Sequence, residues 1–323
     1  MRKAIVMITL SDIQSARTRI APYVHRTPAV RNTTLSKRLG TNVYLKLELF
    51  QKTGSFKPRA AFNKMLRLSD EERARGAVAV SGGNFAQGVA YAANVLGIRA
   101  TICMPATTPK NYLDATHGYG ANIDLAPDIQ SAFDKVEEHK ARGAVPLHPF
   151  DDPDVMAGSG PIGLELLEDV PQLTDVIVSV GGGGLMAGIT LAIKGLKPDV
   201  RVWSVETEKA NALAAALEAG QVVKITPTSL ARTLGAPYVA ADALAVAQQY
   251  VARHLLVSDA EAYHAQRFLM ERAKIFPELS AATTLAAADK LKDQFTPESH
   301  LALIICGGNV SVDDLVAYRQ QFE

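Results

Sequence analysis

The sequence Val176-Ile-Val-Ser-Val-Gly-Gly-Gly-Gly-Leu185 decides the fold. Its first five residues form a mostly β-branched run without polar alternation, which is typical of a strand buried on both faces. Four glycines follow, and residues 185–196 then carry apolar side chains at helical spacing. A buried strand, a glycine turn and a helix in this order predict a parallel sheet with helices packed on its faces.

The same alternation of short β-branched runs and longer amphipathic runs continues along the chain. The predicted strands are residues 43–47, 77–81, 100–104, 122–125, 176–180, 200–205 and 301–306. The predicted helices include residues 84–96, 129–141, 185–196, 259–274 and 281–294. This order favours an α/β fold with mainly parallel sheets flanked by helices.

The length predicts two lobes, because a single hydrophobic core rarely keeps growing at 323 residues. Chain breaks are indicated at Arg75-Gly76 and in the turn-rich stretch Pro146-Leu-His-Pro-Phe-Asp-Asp-Pro153. We therefore expect a small domain over residues 76–151, inserted into a large domain of residues 1–75 plus 152–323, with a cleft between them.

Composition argues against several classes of protein. A formal net charge of +1 with interspersed charges leaves no basic stripe for nucleic acid. Cys103 and Cys306 lie far apart in apolar runs, which suggests neither a disulfide framework nor a zinc cluster and fits a reducing cytoplasm. The N-terminal run 1–10 is too short for a secretory signal, and Met7 is an alternative start. No segment has the roughly 20 apolar residues that cross a membrane.

The four glycines Gly181, Gly182, Gly183 and Gly184 predict an anion site. Without Cβ atoms, their backbone N–H groups can point together at a phosphate, and the following helix adds its positive dipole end. A close-packed or flexible turn is the alternative. A dinucleotide fingerprint is a third interpretation, but its G-x-G-x-x-G order is not met.

Lys57 is the candidate nucleophile. It ends the stretch Glu48-Leu-Phe-Gln-Lys-Thr-Gly-Ser-Phe-Lys57, at the start of a helical run. A lysine in such an apolar, glycine-flanked setting is poorly solvated, which lowers its pKa and makes its amine reactive towards carbonyl carbons. This is the property that pyridoxal phosphate enzymes use to hold their cofactor as a Schiff base. An ordinary solvated lysine is the alternative.

Two further loops follow predicted strands. In Ser81-Gly-Gly-Asn-Phe-Ala-Gln-Gly88, serine and asparagine either cap a helix or bind a ligand, with Ser81 on a substrate carboxylate and Asn84 on a ring oxygen. Cys306 begins Cys-Gly-Gly-Asn-Val310, at the strand end where parallel sheets place ligands. A small buried hydrophobic residue is the other interpretation of this thiol.

Taken together, these segments resemble the fold-type II pyridoxal phosphate enzymes, and most closely the threonine/serine dehydratase and serine racemase family. The resemblance runs from Ile13 to about Leu315. It includes His25-Arg-Thr-Pro28, the segments around Lys57 and Ser81, Tyr119-Gly-Ala121, His148-Pro-Phe-Asp-Asp-Pro153, Gly181–Leu185 and Cys306-Gly-Gly-Asn309.

The resemblance implies a two-lobed fold like that of the tryptophan synthase β-chain, homodimerisation, and a set of roles. Lys57 would form the Schiff base with Phe56 against the ring, the four glycines and Leu185 would hold the phosphate, and Asn84 would face the ring hydroxyl. Cys306 would lie beside the pyridine nitrogen, which a neutral thiol cannot keep protonated, so that loss of a β-substituent is favoured over transamination. The implied reaction removes the Cα proton through Lys57 and the β-hydroxyl of L-threonine or L-serine, and it releases a 2-oxo acid and ammonia.

Three residues depart from the pattern of this family near the expected substrate. Gly82 stands where racemases carry a second serine, so racemisation is disfavoured. Phe85 replaces a common histidine and makes the loop less polar. Arg232 replaces an aspartate, and it either pairs with a nearby acid at the rim or selects substrates with a distal anionic group, because guanidinium pairs well with carboxylates. A bulkier or acidic substrate such as phenylserine or 3-hydroxyaspartate is therefore an alternative.

The divalent cation site of this family would use Glu206, the backbone at Ala210 and a third side chain, which here is Ala212. Magnesium and calcium need several oxygen ligands, so water would have to replace the missing carboxylate. Other functions left open are an amino acid racemase, a replacement enzyme of the cysteine synthase type and a non-catalytic protein that binds pyridoxal phosphate.

Overall fold

Two β-sheets organise the chain in the computed structural model, which describes residues 8–323. The large sheet has the strand order β1-β2-β10-β7-β8-β9, and the small sheet has the order β5-β4-β3-β6. The strands are β1 (Ala29–Arg31), β2 (Asn42–Lys46), β3 (Ala77–Val80), β4 (Ala100–Pro105), β5 (Asn122–Ala126), β6 (Val145–Leu147), β7 (Asp175–Ser179), β8 (Arg201–Thr207), β9 (Val251–Val257) and β10 (His300–Ile304). All neighbours are parallel except β1 and β2, as the α/β pattern predicts.

Fifteen α-helices of the described chain accompany these strands. They are α1 (Leu10–Ile20), α2 (Thr33–Leu39), α3 (Lys57–Met65), α4 (Asp70–Arg75), α5 (Asn84–Leu96), α6 (Lys110–Gly118), α7 (Ile129–Ala141), α8 (Pro153–Ser159), α9 (Pro161–Asp169), α10 (Gly184–Leu196), α11 (Ala212–Ala219), α12 (Ala241–Tyr250), α13 (Asp259–Phe268), α14 (Leu279–Lys290) and α15 (Val312–Phe322). None of them is long and apolar enough to cross a membrane. The proposed alternative start, Met7, lies outside the described residues.

The seven predicted strands all overlap observed ones, and α5 and α7 have the predicted bounds. Three strands were not predicted. Of these, β1 and β6 have only three residues each, and β9 follows α12 without a turn residue between them. The helix predicted over 259–274 is an α-helix only to Phe268. A π-helical turn continues to Ala273, and Lys274 then adopts a left-handed conformation at φ +60°.

The division into two domains stays a prediction. All four strands of the small sheet fall within residues 77–147, which agrees with an insertion at 76–151. The hydrophobic cluster on that sheet also takes in Ile20 from α1 and Phe62 and Met65 from α3. The hydrophobic cluster on the small sheet therefore includes side chains from residues that precede the predicted boundary at residue 76.

Neighbouring strands position the functional loops. Because β7 and β10 are parallel neighbours in the large sheet, the glycines after β7 and Cys306 after β10 meet at the same sheet edge. The Ser81 loop follows β3, near the centre of the small sheet.

Candidate active site

A cavity of about 310 Å³ collects the predicted ligand-binding residues. Its walls come from the start of α3 and from the loops that follow β3, β7 and β10. Among the lining residues are Phe56, Lys57, Ser81, Gly82, Asn84, Phe85, Gly181, Gly182, Gly183, Gly184, Leu185, Arg232 and Cys306. Every predicted cofactor and substrate residue therefore lies in one cavity.

Lys57 is the first residue of α3 and points its amine into this cavity. Nζ donates a hydrogen bond to the carbonyl oxygen of Pro149 at 3.0 Å and lies 4.9 and 5.3 Å from the ring centroids of Phe56 and Phe85. Desolvation by burial lowers the pKa of Lys57 to about 8, although the neighbouring acidic groups of Cys306 and Glu278 oppose the shift. A substantial fraction of this amine is therefore neutral, and nucleophilic, in mildly basic solution.

The four glycines form a turn that has no room for a Cβ atom at two of its positions. A Cβ atom on Gly182 would lie 2.0 Å from the Phe150 ring, and Gly183 has φ +90° with Ala243 only 2.4 Å from an added Cβ. No side chain caps the N-terminus of α10, which follows this turn. The first N–H groups of α10 therefore remain for an anion, as the sequence predicts for a phosphate.

Cys306 lines the cavity and is 7% exposed. Burial, reinforced by Glu278, raises the pKa of its thiol to about 12. The side chain is therefore a neutral thiol at physiological pH. It can face a ring nitrogen without supplying a charge to it.

Asn84 begins α5 and belongs to a buried polar network. Its Nδ2 donates to Glu278 Oε1 at 2.7 Å, and its Oδ1 accepts from Asn309 Nδ2 at 2.8 Å. Glu278 also accepts from the backbone N–H of Asn309 at 3.0 Å and from the Thr233 hydroxyl at 2.7 Å. Burial raises the pKa of Glu278, while these donors lower it. Sequence reasoning missed Glu278, which stands next to Pro277 without any ligand-like spacing around it.

The Ser81 loop forms another wall of the cavity. The Ser81 hydroxyl accepts a hydrogen bond from the Gly83 N–H at 3.2 Å, and the Ser81 N–H donates to the Cys103 carbonyl at 3.3 Å. Gly82 has little room for a side chain, because an added Cβ would lie 2.8 Å from Thr108 Oγ1. This part of the wall presents backbone atoms and the Ser81 hydroxyl, and Gly82 adds no acidic or basic group to it.

Arg232 lies at the rim of the cavity. Its Nη1 is 3.5 Å from Asp314 Oδ1, and 56% of its side chain is exposed. This contact matches the plainer of the two expectations, in which a rim arginine pairs with an acid. A role in substrate choice stays a prediction.

Several aromatic residues that line the cavity were not predicted as site residues, among them Tyr112 and Phe150. Tyr112 donates its hydroxyl to the Asn309 carbonyl at 2.6 Å, and Phe150 packs against the glycine turn. The stretch 146–153 around Phe150 contains three prolines and two aspartates, and this composition indicated a connection between lobes rather than a wall of the site.

A buried ionic cluster anchors α3, the helix that carries Lys57. Arg59 donates two hydrogen bonds to Glu48, both at 2.9 Å, and two to Glu165, at 2.7 and 2.9 Å. Lys46 Nζ donates to the same Glu165 at 2.7 Å. None of these four side chains is more than 7% exposed. The cluster therefore joins α3 to β2 and α9 through charge-assisted bonds.

The residues implied for a divalent cation lie elsewhere. Glu206 is near the end of β8, and Ala210 lies in the turn that leads to α11. Neither residue lines the cavity. The Glu206 carboxylate instead contacts the N-terminus of α11 and His254.

The chain has a parallel α/β fold, a poorly solvated lysine, a glycine turn before an uncapped helix and a neutral thiol at the sheet edge. These features define an enzyme that combines amine chemistry with an anionic ligand. The family model described as "Pyridoxal-phosphate dependent enzyme" matches residues 20–307. The chain therefore belongs to the pyridoxal-phosphate dependent enzyme family.

Individual relatives agree with this assignment. The chain is 41% identical over 314 residues to the L-threonine ammonia-lyase of Thermotoga maritima, covering 95% of this chain and 77% of the relative. The structure of maize serine racemase is similar with a TM-score of 0.92 at 33% identity and covers 98% of both chains. The structure of a threonine deaminase from T.th. is similar with a TM-score of 0.88 at 37% identity and covers 94% of this chain and 99% of the other.

Proposed function

We propose that this enzyme eliminates water from a β-hydroxy L-amino acid, such as L-threonine or L-serine, and releases a 2-oxo acid and ammonia. The observation that carries the proposal is the meeting of the Lys57 amine, the glycine turn and the Ser81 loop in one cavity. The names of the relatives, an L-threonine ammonia-lyase and a threonine deaminase, support the substrate class.

The residues of the cavity fit pyridoxal phosphate. Lys57 would hold the cofactor covalently, Phe56 would contact its ring, and Gly181, Gly182, Gly183, Gly184 and Leu185 would bind its phosphate through backbone N–H groups. Asn84 would face the ring oxygen and Cys306 the ring nitrogen. When bound, the cofactor acts as a sink for the electrons that deprotonation leaves on Cα.

Lys57 would also act as the base, once the amino group of the substrate has taken its place on the cofactor and freed its amine. Its lowered pKa, about 8, lets the amine accept a proton from Cα and hold it within the cavity. Because burial keeps the Cys306 thiol neutral, no protein charge stabilises a protonated ring nitrogen from that side. A ring nitrogen without a stabilised proton would withdraw electrons from Cα less strongly. This favours prompt loss of the β-hydroxyl.

The Ser81 loop is proposed to orient the substrate carboxylate. The Ser81 loop lines the cavity immediately before α5 and offers the Ser81 hydroxyl and backbone N–H groups as donors. Gly82 carries no group that could return a proton on the opposite side of Cα. Elimination is therefore favoured over racemisation, although serine racemase structures are similar in fold.

The assay measures 2-oxo acid release by the protein loaded with pyridoxal phosphate. The substrates are L- and D-threonine, L- and D-serine, phenylserine and 3-hydroxyaspartate. We expect turnover of a β-hydroxy L-amino acid, and the Lys57→Ala variant should lose both this turnover and the visible absorbance of the bound cofactor. Full turnover in Lys57→Ala, or racemisation without 2-oxo acid, would contradict the proposal.

The same panel decides the role of Arg232. If its guanidinium selects a distal carboxylate, Arg232→Ala should lower kcat/KM for 3-hydroxyaspartate relative to threonine by at least about tenfold, the loss expected for a charge-assisted hydrogen bond. An unchanged ranking of substrates would leave Arg232 with the Asp314 contact alone. Homodimerisation and a cytoplasmic location remain predictions, and size-exclusion chromatography with light scattering checks the first.

A further inference from the structure

Glu206 is a fully buried acid outside the active site, and its carboxylate caps a helix. Oε1 and Oε2 accept the N–H of Leu213 at 2.9 and 3.1 Å, and Oε2 also accepts the N–H of Ala214 at 3.0 Å. These donors belong to the first turn of α11, where the side chain of the N-cap residue Asn211 makes no capping bond. A carboxylate at this end of a helix satisfies otherwise unpaired donors and interacts favourably with the helix dipole.

His254 lies on the other side of this carboxylate. Its Nε2 is 3.0 Å from Glu206 Oε2, and its Nδ1 is 2.8 Å from the hydroxyl of Ser204. The sheet register explains the contact, because Ser204 pairs with His254 in β8 and β9 and residues two apart on a strand share a face. If the Ser204 hydroxyl donates to Nδ1, the ring hydrogen is on Nε2, which lies close to the carboxylate but makes no aligned hydrogen bond to it.

We propose that the Glu206–His254 pair replaces the divalent cation that the family resemblance implies at this position. Three backbone contacts and one imidazole surround the two carboxylate oxygens, which have about four acceptor sites in total. The position of the third ligand is held by Ala212, whose methyl group offers no oxygen. The set of donors therefore does not fit magnesium or calcium, which need several oxygen ligands.

The pair performs the structural task that a cation would perform. It places an imidazole nitrogen beside a buried carboxylate and connects the turn before α11 to the strands β8 and β9. Consequently, the holoenzyme should have the same thermal stability with magnesium, with calcium and with a chelator. A cation bound at a hundredfold excess over its dissociation constant would raise Tm by about 4 °C in a chain of this length.

The first experiment compares the Tm of the wild-type holoenzyme in a chelator and in magnesium or calcium at millimolar concentration. A second readout uses terbium, because the single tryptophan, Trp203, stands three residues before Glu206 on β8. A lanthanide at Glu206 would thus lie about 10 Å from Trp203 and become luminescent on tryptophan excitation. We expect no change in Tm and no sensitised terbium emission that depends on Glu206.

A double variant, Ala212→Asp with His254→Ser, is the matched control, because it should gain the ability to bind a divalent cation at Glu206. It places a carboxylate at the buried first position of α11, where the helix dipole favours an acid, and removes the imidazole. We expect this variant to gain both the rise in Tm and the terbium emission. A folded double variant without either response would contradict the roles given to Ala212 and His254.

Cation binding to the wild-type protein would also overturn the proposal. A rise in Tm with magnesium or calcium that the chelator reverses, and that Glu206→Gln abolishes, would show that a cation binds at Glu206. Manganese binding that is lost in His254→Ser would show that the histidine is a metal ligand rather than a replacement for the metal. Because these readouts are stability and luminescence, they are independent of the proposed elimination reaction.

Discussion

Replacing Arg59 by methionine should destabilise the protein far more than removing an ion pair from its surface. The Arg59 guanidinium donates four hydrogen bonds to Glu48 and Glu165 and a fifth, at 3.0 Å, to the His25 carbonyl. With Lys46, the cluster contains two positive and two negative buried charges and is neutral. Arg59→Met leaves two buried carboxylates against one ammonium, which costs about 3–5 kcal/mol in comparable pairs.

The measurement is urea unfolding of the holoenzyme, followed by circular dichroism and by the visible absorbance of the cofactor. The matched control is Arg17→Ala. Arg17 also donates two bonds to one carboxylate, at 2.5 and 2.9 Å on Glu168, but the two side chains are 40% and 45% exposed. Solvent screening limits the expected loss of stability there to about 0–1 kcal/mol.

A double variant tests the electrostatic reasoning itself. Glu48→Gln with Arg59→Met leaves Lys46 and Glu165 as a neutral buried pair, so it should be more stable than Arg59→Met alone. Equal losses in Arg59→Met and Arg17→Ala, or a double variant in which the two losses simply add, would refute the argument that uncompensated buried charge is the main cost.

Three further predictions concern the cavity. Gly182→Ala should lower the affinity for pyridoxal phosphate, because its Cβ would lie 2.0 Å from Phe150, whereas Gly118→Ala, with open space around it, should leave an absorbance titration unchanged. Since burial lowers the pKa of Lys57 to about 8, the rate at which apoprotein binds added cofactor should rise as pH increases through 8 and then level off, and a rise centred near the ordinary 10.5 would contradict this. Glu278→Ala removes the acceptor of three buried hydrogen bonds and should cost about 1–3 kcal/mol in thermal unfolding, so an unchanged Tm would disprove this role.

Local patterns predicted most of the fold and most of the cavity. The run from Val176 to Leu185 has the predicted strand, glycine turn and helix, and the Ser81 loop opens α5 at the predicted residue, Asn84. These segments were predictable because their signals, β-branched runs, glycines and helical spacing, are contained in about twenty neighbouring residues.

Long-range contacts explain what the sequence did not predict. Glu278 meets Asn84 across 194 positions, and Glu165 meets Arg59 across 106. In a sequence, a glutamate that will be buried against such a partner looks the same as one on the surface, because burial depends on tertiary packing. His254 gives no signal in the sequence for the same reason, since its contact with Glu206 requires the register of β8 and β9.

The two cations of Lys57-Pro-Arg59 show how the fold gives neighbouring residues opposite chemistry. Two positions along an α-helix correspond to a rotation of about 200°, so the two side chains leave α3 in nearly opposite directions. Arg59 enters the core, where burial works against its charge but Glu48 and Glu165 outweigh it and raise its pKa above the usual value. Lys57 enters the cavity and finds a carbonyl and two aromatic rings instead, so burial prevails and lowers its pKa. The same helix is therefore anchored by one cation that keeps its proton and made reactive by another that readily gives its proton up.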